Sequence, residues 1–88
     1  MKVTLVKIEG IDRPQINDSY TACSIVEGFS GEEHNEEEHI ASWAYLIRTG
    51  ACWSLQGWYG RSASRIIETG VIDGKGNVNW DKFDELES

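Results

Sequence analysis

The sequence predicts a small α+β domain built around a central antiparallel helical hairpin, at about residues 36–49 and 54–69. Apolar residues recur in both segments at the spacing of a helix. The segments also end alike, as LIRTGA at 46–51 and IIETGV at 66–71, which is typical of a glycine that stops a helix. Two N-terminal strands and a short tail of β-turn and helix are expected to complete the fold.

Length and charge limit the possible classes of function. The 88 residues predict a single domain over 1–88, in which four tryptophans supply large side chains for a small core. The formal net charge of −7 argues against a broad phosphate-binding surface, because such a surface needs clustered lysines and arginines. Nucleic acid is therefore a disfavoured partner, and a basic protein is a better match.

The N-terminal third is expected to supply the two strands. Residues 2–8 are rich in β-branched side chains and predict the first strand. Residues 10–18 hold the one proline and several turn formers, which favours a loop. Residues 19–29 predict the second strand, and a short helix capped by Asn17 or Asp18 is the alternative.

Asn35 is expected to cap the first long helix, because its side-chain oxygen can accept hydrogen bonds from the first turn. Gly50 is expected to end that helix in the left-handed conformation. The buried face is predicted to hold Ile40, Trp43, Ala44 and Ile47.

Ser54 is expected to cap the second long helix, which runs to about Thr69. Gly57 and Gly60 lie inside it, and each costs about 0.5–1 kcal/mol relative to alanine. Such glycines indicate the close approach of another group or a break in the helix. The apolar side is predicted to hold Leu55, Trp58, Tyr59, Ser62, Ala63, Ile66 and Ile67.

In the tail, residues 78–80 could pair with 71–72, and Asp81 could cap a final helical turn that carries Phe83 and Leu86. The stretch 73–83 is similar to part of an EF-hand loop. Lysines take two of its ligand positions, however, so we do not expect calcium there.

No residues form a catalytic or metal-binding motif. His34 and His39 are five apart, which puts their rings about 140° apart on a helix and excludes the zinc-protease pattern. A zinc site that also uses Cys23 and Cys52 would lack the paired spacing of zinc modules. Cys52 precedes a helix, but no base is marked beside it. We expect no enzymatic activity, no metal and no cofactor.

Two kinds of partner remain. The leading one is a protein, with Tyr45 as first anchor because it lies off the buried face, and with Gln56 and Arg61 beside it. Glu36 and Glu37 belong to an acidic group at 32–38, which either solvates a helix start or contacts a basic protein. The other aromatic rings of the hairpin, at 43, 53, 58 and 59, are expected to form one interior.

The alternative partner is DNA. Two helices joined by a short turn and followed by a β-turn also fit a winged helix-turn-helix protein. Arg61 and Arg65 are four apart on the second helix, and Lys75 would lie on the wing. The net charge and the apolar character of that helix argue against this alternative.

Residues 42–72 carry a family resemblance. An aromatic helix, a Thr-Gly stop, the motif W-x-L-Q-G-W-Y-G-R and an Ile-Glu-x-Gly ending occur together there. In this the segment, about a third of the chain, resembles small uncharacterised proteins common in bacteriophage and archaeal virus genomes. The resemblance implies a viral accessory protein that binds a host component, and it assigns no functional residues.

A cytoplasmic location is expected, in the host cell if the protein is viral. No apolar run approaches the roughly 18 residues that a membrane helix needs. Residues 1–8 are too short for a secretory signal and contain two lysines. The two cysteines are therefore expected to be free thiols. The sequence leaves the identity of the partner and the oligomeric state open.

Overall fold

The computed structural model describes residues 3–29, 31 and 33–87, so Lys2 of the predicted first strand and Glu32 of the acidic group lie outside it. The α+β class is confirmed, and the long helices lie near the predicted spans. The elements in chain order are β1 (Val3–Ile8), β2 (Ile11–Ile16), α1 (Ser19–Glu27), α2 (Glu36–Arg48), α3 (Ala51–Ser54), α4 (Gly57–Thr69) and α5 (Trp80–Glu87).

The strands β1 and β2 form an antiparallel hairpin, so the predicted loop over 10–18 is wrong. Glu9 and Gly10 close it with φ values of 53° and 83°, as a two-residue type I′ turn requires. The loop was predicted partly because this segment contains a proline, which usually argues against a strand. The pair Leu5–Pro14 is not hydrogen-bonded in the alternating ladder, so the N–H that Pro14 lacks would have faced away from β1.

Residues 19–27 form helix α1, so the predicted second strand there is wrong and its helical alternative is correct. Asp18 caps the helix: its Oδ1 accepts from the Thr21 backbone N–H at 2.7 Å, and its Oδ2 accepts from the Thr21 hydroxyl at 2.8 Å. Gly28 ends the helix in the left-handed conformation. Ala22 and Ile25 are buried in the core, where α1 packs on α2.

Helix α2 lies at the centre of the fold and packs most extensively on α1 and β2. Asn35 caps it as predicted: its Oδ1 accepts from the Glu38 N–H at 2.8 Å, and Glu38 Oε1 accepts from the Asn35 N–H at 3.1 Å. Gly50 follows with φ 79°. Of the predicted buried face, Ile40 is half-buried and the other three members are buried; Leu46 is fully buried as well.

The second long helix begins later than predicted. The one-turn helix α3 ends at Ser54, Leu55 is extended, and α4 starts at Gly57. Ser54 is therefore not the cap; Gln56 holds that position and makes no side-chain cap bond. Of the two alternatives predicted for the glycines, Gly60 fits the close approach of another group, because a Cβ there would lie 3.6 Å from the Trp53 ring. The break in the helix lies just before Gly57. The left-handed stop at Gly70 is confirmed.

The apolar side of α4 is narrower than predicted. Tyr59 and Ala63 are buried, and Ser62, Ile66 and Ile67 are half-buried. The two remaining members of the predicted set, at positions 55 and 58, are exposed.

In the tail, Ile72 and Val78 form a single antiparallel bridge, which confirms the predicted pairing. Asn79, not Asp81, caps α5, because its Oδ1 accepts from the Lys82 N–H at 3.0 Å. Phe83 is buried, whereas the other apolar residue predicted for this helix, at position 86, is exposed.

A buried arginine joins β2, α2 and α5. Arg13 Nη1 donates to Glu37 at 2.5 Å, Nη2 donates to Asp84 at 2.6 Å, and the guanidinium lies 4.8 Å from the centre of the Trp80 ring. Its side chain is only 6% exposed. The hydrogen bond to Asp84 is the largest cause that raises the pKa of Arg13. This ion-pair cluster fastens the N-terminal hairpin to the C-terminal helix.

Candidate functional site

Three aromatic rings join α2 to α4. Trp58 lies 5.8 Å from Trp43 and 4.8 Å from Tyr59, and Trp43 lies 5.9 Å from Tyr59, in tilted and edge-on arrangements. Aromatic pairs favour such geometry. Trp43 and Tyr59 are buried, but Trp58 is 41% exposed. The prediction that the hairpin rings form one interior therefore holds for two rings and only in part for Trp58.

Tyr59 also connects α4 to α1, because its hydroxyl donates to the Glu27 carboxylate. Burial is the main cause that raises the pKa of Tyr59, and the hydrogen bond to Glu27 adds to it. The folded protein thus holds this proton more tightly than the unfolded chain, whose tyrosines titrate near about 10.

The Tyr59 proton gives a testable pH dependence. Because its pKa is raised on folding, the stabilisation is complete below about pH 10 and is lost as the pH rises above that value. We expect the free energy of unfolding to fall by up to about 1.4 kcal/mol per pH unit there from this group alone. Urea unfolding of the wild type and of Tyr59→Phe at several alkaline pH values isolates the effect. Parallel pH profiles would show that Tyr59 titrates normally.

The corner between α3 and α4 exposes large apolar side chains. Trp53 is 51% exposed and Leu55 is 43% exposed, and Trp58 lies three residues further on. The prediction that Trp53 belongs to the interior is wrong: its ring lies against Gly60 at the surface of α4 and is not enclosed by the core. We call Trp53, Leu55, Gln56, Trp58 and Arg61 the corner surface.

Two glycines let side chains of the corner surface pack closely on α4. A Cβ at Gly60 would lie 3.6 Å from the Trp53 ring, and a Cβ at Gly57 would lie 3.0 Å from Arg61 Nη1. Residues three apart are neighbours on a helix face. The Trp53 ring and the Arg61 guanidinium therefore cover adjacent glycines on one face of α4.

The residues predicted to bind a partner divide between three places: the corner surface, the C-terminal half of α2 and the acidic start of α2. Gln56 and Arg61 are exposed in the corner surface. Tyr45 lies on α2, half-buried against the core, with the Arg48 guanidinium 5.6 Å from its ring centre. Tyr45 is thus less exposed than Trp53, although the prediction placed Tyr45 at the surface and Trp53 in the interior.

The acidic group at the start of α2 is partly used within the fold. Glu37 is bonded to Arg13, and Glu38 completes the capping box with Asn35. Glu33 and Glu36 are exposed. A contact with a basic protein would therefore rest mainly on Glu36 and Glu33, with Glu37 turned toward the hairpin.

The surroundings of two other reactive side chains, Cys52 and Asp73, indicate structural roles. Cys52 is buried, and this burial raises the pKa of its thiol, which favours the unreactive protonated form. Asp73 Oδ1 accepts from the N–H groups of Lys75 and Asn77 at 2.9 Å, and the bonds from Asn77 are the main cause that lowers its pKa. Within residues 3–29, 31 and 33–87, no three His, Cys, Asp or Glu side chains group to hold a metal ion.

Leu55 was missed as a surface residue because helical periodicity assigns it to the apolar face of the second helix. Trp53 was missed because large aromatic rings were expected to fill the small core. One signal pointed the other way: the two glycines that follow them. An early break in the helix would have released the segment before Gly57, and this is what the structure shows.

Over the described part of the chain, no helix is both long and apolar enough to cross a membrane.

The comparisons with known proteins give a family. No curated protein and no solved structure matches the chain. A family model described as a domain of unknown function, DUF7417, matches residues 25–87. The match starts in α1, leaves the β-hairpin outside and includes the corner surface. Since it spans more than half of the chain, the protein belongs to the DUF7417 family.

Proposed function

We propose that this protein acts without catalysis, by binding another protein through the corner surface. The observation that carries the proposal is the exposure of Trp53 and Leu55 where α3 meets α4, with Arg61 beside them. Tryptophan and arginine dominate the residues that contribute most to protein–protein affinity. An exposed indole held against a glycine also loses little conformational entropy on binding.

The charge of the chain supports a partner with a basic rim. The net charge is −7, and Glu33 and Glu36 are exposed at the start of α2. Complementary charge speeds association and selects between partners more than it adds affinity. In this proposal the corner surface supplies affinity, and the acidic residues steer the partner.

The biological setting is a further part of the proposal. The resemblance over residues 42–72 to small bacteriophage and archaeal virus proteins supports a viral accessory protein in the host cytoplasm. The corner surface lies wholly within that segment. A host protein is then the partner class to test first.

Removing the corner side chains is expected to weaken capture of the partner strongly. The full chain is immobilised, and host lysate is the probe. Trp53→Ala with Leu55→Ala should weaken capture about 30-fold or more. This corresponds to the loss of about 2 kcal/mol or more of binding free energy, as is typical when a residue at the centre of an interface is removed. Both side chains are exposed, so the fold should survive, which circular dichroism checks.

The matched control is Tyr20→Ala with Phe29→Ala. These rings form another exposed aromatic pair, 6.5 Å apart, at the two ends of α1. The control variant should capture the partner as the wild type does. Absence of any captured protein, or equal loss in both double variants, would contradict the proposal.

DNA is the second candidate, because Arg61 and Arg65 are exposed four apart on α4. Neither has an ion-pair partner among the described residues. Glu68 is exposed on the same helix, however, and the net charge is strongly negative. Duplex binding that weakens steeply with salt, by a slope of about −0.9 per phosphate contact, would favour this candidate over the first.

A further inference from the structure

Among residues 3–29, 31 and 33–87, no strand pairs with the outer edge of β1. In the described part of the chain, β2 is the element on which β1 packs extensively. Leu5, in the middle of β1, is 63% exposed. A two-stranded hairpin is marginally stable alone, and an unpaired strand edge is a template for another strand.

The register shows which backbone groups face this edge. Ile8 and Ile11 close the two-residue turn, so they form a hydrogen-bonded pair. Hydrogen-bonded and non-hydrogen-bonded pairs alternate along an antiparallel ladder. The N–H and C=O groups of Val3, Leu5 and Lys7 therefore point away from β2.

The opposite edge of the hairpin is closed. The residues of β2 that face outward are Asp12, Pro14 and Ile16, by the same alternation. Pro14 has no N–H to donate, and α2 packs against β2. A further strand can thus join the sheet at β1 and not at β2.

We propose that a second copy of this chain pairs with the edge of β1, antiparallel about a two-fold axis at Leu5. This register is the one that pairs all three outward-facing residues of each strand: Leu5 pairs with Leu5 of the other copy, and Val3 pairs with Lys7. The product is a four-stranded sheet in the order β2, β1, β1, β2. This inference is independent of the proposed function, because β1 lies outside the corner surface.

The charges on the hairpin fit a second copy. Within β1 the one charged residue is Lys7, and it is paired with Asp12 at 3.1 Å. In the proposed register each lysine lies opposite a valine, so no like charges meet, and a C₂ interface must be self-complementary in this way. The chains carry −7 each, so added salt should strengthen the dimer by screening their repulsion.

Leu5→Pro is the sharpest test, since it copies what Pro14 does across the ladder. It removes one outward N–H and no hydrogen bond to β2. Sedimentation equilibrium from about 1 µM to about 1 mM should show a dimer for the wild type. The variant should raise the dimer dissociation constant about tenfold or more, with an unchanged circular dichroism spectrum.

Leu5→Lys is the second variant, in case the proline disturbs the hairpin. It keeps every backbone group and places two lysines opposite each other at the axis, so it should also give a monomer. A wild type that sediments as a monomer at all these concentrations would overturn the proposal. So would a dimer that survives both substitutions, or one that salt weakens.

Discussion

Replacement of Gly76 by alanine is expected to cost about 2–5 kcal/mol of stability, out of about 4–13 kcal/mol for a chain of this length. Gly76 has φ +87°, a conformation that costs a side-chain residue about 1–2 kcal/mol. It also lies directly on α2: a Cβ would be 2.6 Å from Arg48 Cβ and 2.7 Å from the Ala44 carbonyl oxygen. Backbone must move to accommodate it, and urea unfolding measures the loss.

Two other glycines separate the causes. Gly74→Ala has open space and no positive φ, so it should change stability by less than about 0.5 kcal/mol. Gly70→Ala has φ +85°, and its Cβ would make only an ordinary contact, 4.0 Å from Lys82 Cε, so it should show the backbone cost alone, about 1–2 kcal/mol. If Gly76→Ala costs no more than Gly70→Ala, the turn at 73–77 does not dock on α2.

Removal of both carboxylates around Arg13 is expected to destabilise the fold by about 3–5 kcal/mol, because it leaves a buried cation without a partner. Glu37→Gln with Asp84→Asn keeps the shape of both side chains. Arg13→Met should cost less, about 1–3 kcal/mol. The carboxylates are 31% and 49% exposed, so water can solvate them once the arginine is gone.

Urea unfolding near neutral pH should show a larger loss of stability for the double carboxylate variant than for Arg13→Met. Adding Arg13→Met to the double variant should recover part of the stability, since the unpaired cation disappears. A double variant that loses less than about 1 kcal/mol would show that the cluster does not hold the hairpin to α5.

Local capping chemistry could be read from the sequence, because it depends on a few adjacent residues. Asn35, Gly50 and Gly70 all act as predicted. At Asp18 the cap was recognised only as an alternative, since β-branched residues in α1 also favour a strand. A side-chain cap at the start of a segment and a glycine at its end are thus stronger evidence for a helix than the composition of the nine residues between them.

Contacts between residues far apart in the chain could not be predicted from the sequence. Nothing around Arg13 marks Glu37 or Asp84 as its partners, which are 24 and 71 residues away. Pro14 is compatible with a strand only at a position whose N–H faces outward, and that depends on the register. Leu55 lies in the break between α3 and α4, and helical periodicity does not reveal that break.

The corner surface is the central claim, and site-specific photo-crosslinking tests it most directly. A photoreactive phenylalanine analogue replaces Trp53 in one full-length chain and Tyr20 in another, and both are irradiated in host lysate. We predict one dominant crosslinked host protein from position 53 that is absent from position 20. No product at position 53, or the same products from both positions, would contradict the account.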